Sequence, residues 1–190
     1  MAKTAVASLD SIASRPLSWA TEIALVVGAS LFVAACARIS VPLPITPVPL
    51  TLQNFGVLLV GLALGSRRGF LALALYLMEG AAGMPVFNPL GPGGVAQLLG
   101  PTGGFLLAYP FVAFLAGWIY ERGEGTFLRA LAAGITAEIL LFAGGLSWLY
   151  VLTHSITTAL KFGLYWFVFA EVIKIMFAAA LGSRTRFLRG

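Results

Sequence analysis

Apolar stretches recur along almost the whole chain, and several approach the roughly 20 residues that a helix needs to cross a bilayer. Hydrophobic residues make up 59% of the 190 positions and charged residues only 10%, whereas soluble domains carry about 25% charged residues. Too few charged side chains are present to cover a soluble globular surface. The composition therefore indicates an integral membrane protein. It argues against a soluble enzyme, a disordered regulator or a nucleic-acid-binding protein.

Six apolar segments fit into this length, and we predict an all-α integral membrane protein built as a bundle of six transmembrane helices. The second and third segments are short and separated by Gly65. Together the six form a single transmembrane domain, residues 1–190. The predicted spans are 20–39, 53–64, 69–78, 102–120, 127–152 and 161–181.

The distribution of basic residues predicts the orientation of the bundle. With the N-terminus inside, nine of the twelve basic residues fall in cytoplasmic segments or helix ends. These nine are Lys3, Arg15, Arg67, Arg68, Arg122, Arg129, Arg184, Arg186 and Arg189. The outer loops 40–52, 79–101 and 153–160 contain none. Because Lys and Arg gather on the cytoplasmic side, we expect cytoplasmic N- and C-termini in a multi-pass protein of the cell (inner) membrane.

Two of the outer loops are apolar and rich in turn-forming residues. Residues 41–51 contain four prolines, and residues 80–101 are rich in Gly and Pro. Extended, proline-rich backbone is costly in contact with lipid, and long ordered loops are usually functional. We therefore expect these outer loops to form a lid over a pocket.

The sixth span contains an acid and a base three residues apart, Glu171 and Lys174. This spacing places both on one helix face, and charged residues within a span normally face the bundle interior or a water-filled cavity. The pair indicates either a structural ion pair or a polar ligand site, with the ammonium group binding an anion. A second intramembrane acid, Glu138, pairs with Lys174 or Lys161, or is neutral.

Four further residues are candidates for ligand contacts. Asn88 offers a donor and an acceptor that suit a cyclic urea or amide, although Asn before Pro89 also favours a turn. Gln53 is either a polar residue at a helix start or part of the site. Trp148 could stack on a ligand ring or belong to the aromatic belt at the membrane interface. Arg38, at an outer helix end, is an alternative cation for a ligand carboxylate.

Small residues four apart on the first span form a candidate docking surface, because they let another helix approach closely. They are Ala20, Ala24 and Gly28. The sequence contains no G-x-x-x-x-G-K-[ST] segment for binding a nucleotide. Any step driven by nucleotide hydrolysis would therefore need a partner protein.

Several segments, taken in order, carry a family resemblance. They are Pro47-Val48-Pro49-Leu50-Thr51-Leu52-Gln53, Gly83-Met84-Pro85-Val86-Phe87, Gly93-Gly94 and Gly100-Pro101-Thr102-Gly103-Gly104-Phe105. Their order and spacing resemble the biotin-specific S component of energy-coupling factor (ECF) vitamin transporters. The resemblance extends from about Ala20 to Leu181.

The resemblance implies six helices, a ligand site toward the outer side and the first outer loop as a lid. It also implies docking, through the small residues of the first helix, to a coupling transmembrane protein driven by two ATP-binding-cassette ATPases. Asn88 matches the loop Asn that contacts the ureido ring. Glu171 and Lys174 match an acid-x-x-Lys motif whose Lys takes the biotin carboxylate. The family more often has Gly-Asp where this chain has Ala170-Glu171.

The function that these expectations describe is high-affinity binding and uptake of biotin across the cell membrane. The alternative is an S component or small transporter for another carboxylic-acid vitamin, such as lipoate. We predict no catalytic residue, metal or cofactor, because an intramembrane enzyme would need a nucleophile–base pair or a metal cluster. A purely structural subunit would leave Glu171, Lys174 and Asn88 without a role.

Overall fold

The computed structural model describes residues 18–123 and 125–184, and the chain there folds into a bundle of helices with a two-stranded hairpin. The elements in chain order are α1 (Trp19–Arg38), β1 (Ser40–Val41), β2 (Leu50–Thr51), α2 (Gln53–Leu64), α3 (Ser66–Ala81), α4 (Gly94–Leu99), α5 (Gly103–Glu121), α6 (Phe127–Thr153), α7 (Ile156–Gly163) and α8 (Val168–Gly182). Four basic residues used to predict the orientation, Lys3, Arg15, Arg186 and Arg189, lie outside the described residues.

Several of these helices are compatible with a membrane. Among the described residues, α1, α5 and α6 are long and apolar enough to cross one, and α7 with α8 would make a fourth span if the bent pair is taken as one. Helix α2 is apolar but has only 12 residues, a length of about 18 Å at 1.5 Å per residue.

The prediction of one continuous helix over 161–181 is wrong. The chain is helical up to Gly163, leaves the helix over residues 164–167 and resumes at Val168, with a bend of 48° between α7 and α8. A Cβ atom on Gly163 would come within 2.6 Å of Leu149 in α6, so glycine permits close packing there. Glycine followed by three aromatic residues at 165–167 is a weak helix former, which explains where the helix breaks.

The third helix is longer than the predicted 69–78, because it begins at Ser66. Glu121, at the end of α5, accepts hydrogen bonds from the Ser66 backbone N–H at 2.8 Å and from its hydroxyl at 2.7 Å. A carboxylate is favourable at a helix N-terminus. Gly65 joins α2 to α3 with φ of +85°, and a Cβ atom there would collide with the Glu121 carboxylate. This contact joins residues 55 positions apart, which a local pattern does not reveal.

The two ends of the bundle differ in charge. At one end, Arg68 of α3 forms an ion pair with Glu22 of α1 at 2.5 Å, and the Arg129 guanidinium donates to the Ile119 carbonyl. Arg67 and Arg122 flank the same helix ends. The β1–β2 hairpin and α4 lie at the opposite end. The described loops there carry no basic residue between 39 and 65 or between 79 and 101.

Helix α5 packs against α2, α3, α4 and α6, and small residues bring the backbones together. A Cβ atom on Gly61 of α2 would lie 2.4 Å from the Ala113 carbonyl oxygen of α5. A Cβ atom on Gly104 of α5 would lie 2.6 Å from the Gly144 carbonyl oxygen of α6. Both distances are shorter than van der Waals contact, so these helices approach closely only because glycine stands at these positions.

We expect Gly61→Ala to destabilise the bundle by about 1–3 kcal/mol, because the added methyl group overpacks the contact with α5. Thermal unfolding of the detergent-solubilised protein, followed by tryptophan fluorescence, measures the effect. Gly28→Ala is the matched control, since a Cβ atom there meets nothing within 4 Å and alanine favours a helix. Equal losses for the two variants would contradict the packing explanation.

Candidate functional site

A cavity lies at the hairpin end of the bundle, among the hairpin, α2, α5, α6 and α8. Its walls are mainly aromatic and aliphatic, with polar groups at both ends. The lining residues are Val48, Pro49, Thr51, Gln53, Asn54, Asn88, Gln97, Thr102, Phe105, Leu106, Tyr109, Phe142, Gly163, Phe167 and Glu171. A mostly apolar pocket with a few convergent polar groups is typical of a small-molecule site.

The inner end of the cavity contains the predicted pair of charged residues. Lys174 Nζ lies 2.7 Å from Glu171 Oε1, with the side chains only 11% and 3% exposed. Glu171 lines the cavity, and Lys174 lies behind it, one helical turn further along α8. The break before α8 directs this first turn of the helix into the bundle. A buried charge must be paired, and the two residues pair with each other.

Two polar networks position the α2 side chains at this inner end. The Tyr109 hydroxyl donates to Asn54 Oδ1 at 2.7 Å, and the Asn54 amide faces the Glu171 carboxyl. The Gln53 amide donates to the Tyr76 hydroxyl at 2.6 Å, and that hydroxyl donates to the Val86 carbonyl at 3.1 Å. Because these side chains are held by neighbours, the polar groups of the cavity are oriented in advance.

The outer rim of the cavity is built from two buried amides. Asn88 Oδ1 accepts a hydrogen bond from the Leu90 backbone N–H at 2.9 Å, so Asn88 both shapes a turn and lines the cavity. Gln97, in α4, accepts from Gly93 N–H at 3.1 Å and donates to the Asn88 carbonyl at 3.4 Å. Asn88 is thus a turn residue that also lines the cavity, and its contact with a cyclic urea or amide stays a prediction.

The hairpin covers one side of the cavity. Ser40 pairs with Thr51 in the antiparallel ladder, and the segment between the strands contributes Val48 and Pro49 to the lining. At its far side the Thr46 hydroxyl donates to the Phe162 carbonyl of α7 at 2.7 Å. The hairpin is thus attached to the bundle on both sides of the cavity.

Besides Lys174, which lies behind Glu171, two other predicted site residues do not line this cavity. The Arg38 guanidinium donates to the Pro85 carbonyl and lies in an adjoining depression that shares Asn88 and Gln97. The Trp148 indole N–H donates to the Gly100 carbonyl at 2.9 Å, and its ring lies in a groove on the outer surface of α5 and α6. Trp148 packs there because Gly104 leaves room for its side chain.

The candidate docking residues lie on an open face of α1. Ala20, Ala24 and Gly28 are all exposed, and no other element in residues 18–123 or 125–184 covers them. The opposite face of the same helix contributes Val33 and Ala37 to the core. The stripe of small residues is therefore available to a partner.

Sequence reasoning missed three polar residues of the cavity: Asn54, Gln97 and Tyr109. Asn54 follows Gln53, and an adjacent pair of amides at the start of a span was a local indication. Gln97 is the one amide in the apolar segment that forms α4. Tyr109 precedes a proline within an apolar span, and no local pattern distinguishes it from an aromatic residue of the membrane interface.

Curated relatives of this chain are named as biotin transporters. It is 38% identical over 146 residues to "Biotin transporter BioY" of Thermotoga maritima. This alignment covers 77% of this chain and 85% of the relative. The chain is 39% identical over 168 residues to "Probable biotin transporter BioY" of Pyrococcus horikoshii, which covers 87% of this chain and 96% of the relative.

A solved structure has a similar fold. The crystal structure of the S component for biotin from an ECF-type ABC transporter superposes with a TM-score of 0.80 at 25% sequence identity. The alignment covers 88% of this chain and 92% of that chain. The sequence profile of the BioY family matches residues 4–189. The resemblance inferred from the sequence motifs is confirmed, and the chain belongs to the BioY family.

Proposed function

We propose that this protein binds biotin in the cavity beneath the hairpin and takes it up across the cell (inner) membrane as the substrate-specific component of an ECF-type transporter. The observation that carries the proposal is the buried Glu171–Lys174 pair at the inner end of an aromatic-walled cavity. The names of the relatives and of the structural neighbour support the same ligand.

The chemistry of the cavity suits biotin, which has a carboxylate, an aliphatic tail and a ureido head. Lys174 supplies the cation for the carboxylate by turning from Glu171 toward the ligand. The aromatic side chains Phe105 and Phe142 enclose the apolar part. Asn88, at the outer rim, meets the ureido ring, and Gln53 adds a polar group to the lining. A dithiolane head such as that of lipoate has no N–H or C=O group with which to hydrogen-bond to these side chains.

Lys174→Met should weaken biotin binding by about tenfold to a hundredfold, because a hydrogen bond to a charged group contributes about 1.5–3 kcal/mol. The affinity for a neutral biotin amide should fall far less, since this ligand never forms an ion pair with Lys174. Isothermal titration of both ligands against both proteins measures the difference.

Lys161→Met is the matched control for this substitution, because Lys161 is exposed on α7 and outside the cavity lining. It should bind biotin as the wild type does. If Lys174→Met lowered the affinities for biotin and for biotin amide equally, the role of the lysine would be structural. The carboxylate would then belong to Arg38, which Arg38→Met tests in the same assay.

Six membrane-crossing segments with both termini in the cytoplasm complete the proposed arrangement. The cavity then opens toward the outside, and the hairpin is its lid. Supporting this orientation, Arg67, Arg68, Arg122 and Arg129 cluster at the end of the bundle remote from the hairpin. Basic residues at that end are typical of the cytoplasmic side.

Cysteine labelling in intact cells tests this orientation. In a background in which buried Cys36 is replaced by alanine, His154→Cys should react with a membrane-impermeant thiol reagent. Arg67→Cys should react only after the membrane is permeabilised. Both side chains are exposed, so accessibility differs by side alone. The reverse pattern would invert the proposed topology.

Energy for uptake is proposed to come from a coupling transmembrane protein that docks on α1 and is driven by two ATP-binding-cassette ATPases. The exposed stripe of Ala20, Ala24 and Gly28 supports this assignment, because small residues allow close approach of a second helix. The core-facing side of α1 stays packed in the bundle, so docking would not require the helix to rotate.

Ala24→Trp should abolish or strongly reduce biotin uptake by cells and leave binding to the purified protein unchanged, because the indole blocks helix approach. Radiolabelled uptake and titration of the solubilised protein separate the two effects. Ala132→Trp, on an exposed face of α6, is the matched control and should keep both. If Ala24→Trp leaves uptake intact, the docking surface lies elsewhere.

A further inference from the structure

Glu138 is a buried carboxyl group that the proposed binding mode leaves unused. It lies in the middle of α6, is only 4% exposed, and neither of its carboxyl oxygens has a hydrogen-bond partner. Oε2 of Glu171 is also buried and has no hydrogen-bond partner. Three oxygens of two neighbouring carboxyl groups are therefore buried without a hydrogen bond, although the Asn54 amide faces Glu171. Such groups are costly to bury unless something satisfies them.

The packing of α6 against α8 places the two carboxyl groups opposite each other. The helices are antiparallel, and Gly134 of α6 faces Ile175 of α8, where a Cβ atom would lie 2.9 Å from the Ile175 side chain. Four residues further along α6 is Glu138, and four residues back along α8 is Glu171. Because four residues make about one helical turn, the two residues lie on the facing sides of the helices at the same depth.

The ionisable groups around Glu138 come from the helices packed against α6. From α8, Glu171 and Lys174 interact with it electrostatically, and from α5 the Tyr109 hydroxyl lies near both acids. The basic residue of α7, Lys161, is exposed. One ammonium group thus faces two carboxyl groups, and Lys174 is already bonded to Glu171.

We propose that Glu138 is a proton-binding site, at which one proton shared with Glu171 enables the cavity to accept a ligand carboxylate. The proton comes from water and forms an O–H bond on Glu138, which donates to Glu171 Oε2. This bond gives two of the three unpartnered oxygens a partner. It also leaves the cluster of Glu138, Glu171 and Lys174 electrically neutral.

The consequence for ligand binding follows from the charge count and rests on the proposed binding of the carboxylate near Lys174. With the proton present, the ligand carboxylate meets a neutral cluster and shares the ammonium group with Glu171. Without the proton, the cluster carries one net negative charge, which repels the ligand in a medium of low dielectric constant. Biotin affinity should therefore fall as pH rises, and binding should take up protons from solution.

Titration of biotin into the full-length solubilised protein from about pH 6 to about pH 9 tests the linkage, since buried glutamates can titrate as high as about pH 8–9. The ligand carboxyl stays ionised throughout this range. We expect affinity to fall by about tenfold or more across it. Near the upper end, the apparent enthalpy should differ between two buffers of different ionisation enthalpy, because protons are taken up.

Three comparisons isolate Glu138. Glu138→Gln, which keeps a neutral donor at this position, should bind biotin at neutral pH within about threefold of the wild type and lose most of the pH dependence. Glu22→Gln, at the far end of the bundle, should keep the wild-type pH dependence. Biotin amide should bind the wild-type protein with little dependence on pH. A Glu138→Gln variant as pH-dependent as the wild type would overturn the proposal.

Infrared spectroscopy of the ligand-free protein tests the proton site separately from biotin binding. The carbonyl stretching band of a protonated carboxyl group should be present at neutral pH and missing from Glu138→Gln. If this band is present but biotin does not bind, the proposed function fails and the proton site stands. If the band is absent while biotin binds, the proton site fails and the proposed function stands.

Discussion

The buried pair of Glu171 and Lys174 is the interaction on which the site depends. Two charges at 2.7 Å with almost no solvent exposure are tolerated only because each compensates the other, and removing one partner of such a pair typically costs about 3–5 kcal/mol. The pair lies at the inner end of the cavity, where an anionic ligand can compete with Glu171 for the ammonium group. The interaction that stabilises the empty site is thus also the one that a carboxylate would exchange.

The position of this pair depends on how the C-terminal part of the chain is divided. A single straight helix over 161–181 would continue the direction of α7. The break at 164–167 instead turns α8 by 48°, so that Phe167 and Glu171 line the cavity. Gly163 makes this possible by packing closely on α6, and the same helix α6 carries Glu138 against α8. The break therefore assembles the cavity wall and the charged cluster together.

The sequence was sufficient to predict the class of fold and much of the site, for identifiable physical reasons. Apolar length and scarce charge indicate membrane helices, and the starts of α2 at Gln53 and α6 at Phe127 coincide with predicted boundaries. Glu171 and Lys174 were predictable because a charged pair within a span has few alternatives. What could not be predicted depends on contacts between distant segments. The capping of α3 by Glu121 and the place of Trp148 against Gly100 are of this kind.

Asn54 and Tyr109 illustrate the same limit within the site itself. Each is unremarkable along the chain, and each gains a role only because α2 and α5 approach closely through Gly61 and neighbouring small residues. Helix packing thus determines which polar side chains reach the cavity.

The hairpin and the charged end of the cavity are connected through α7. Thr46 of the hairpin is hydrogen-bonded to the Phe162 carbonyl, which belongs to the last turn of α7, directly before the break. Phe167, on the other side of the break, lines the cavity beside Glu171. If the hairpin moved away from the cavity, it would have to break this hydrogen bond to α7. The hairpin and the cavity wall beside Glu171 are therefore joined through one short stretch of backbone, residues 162–167.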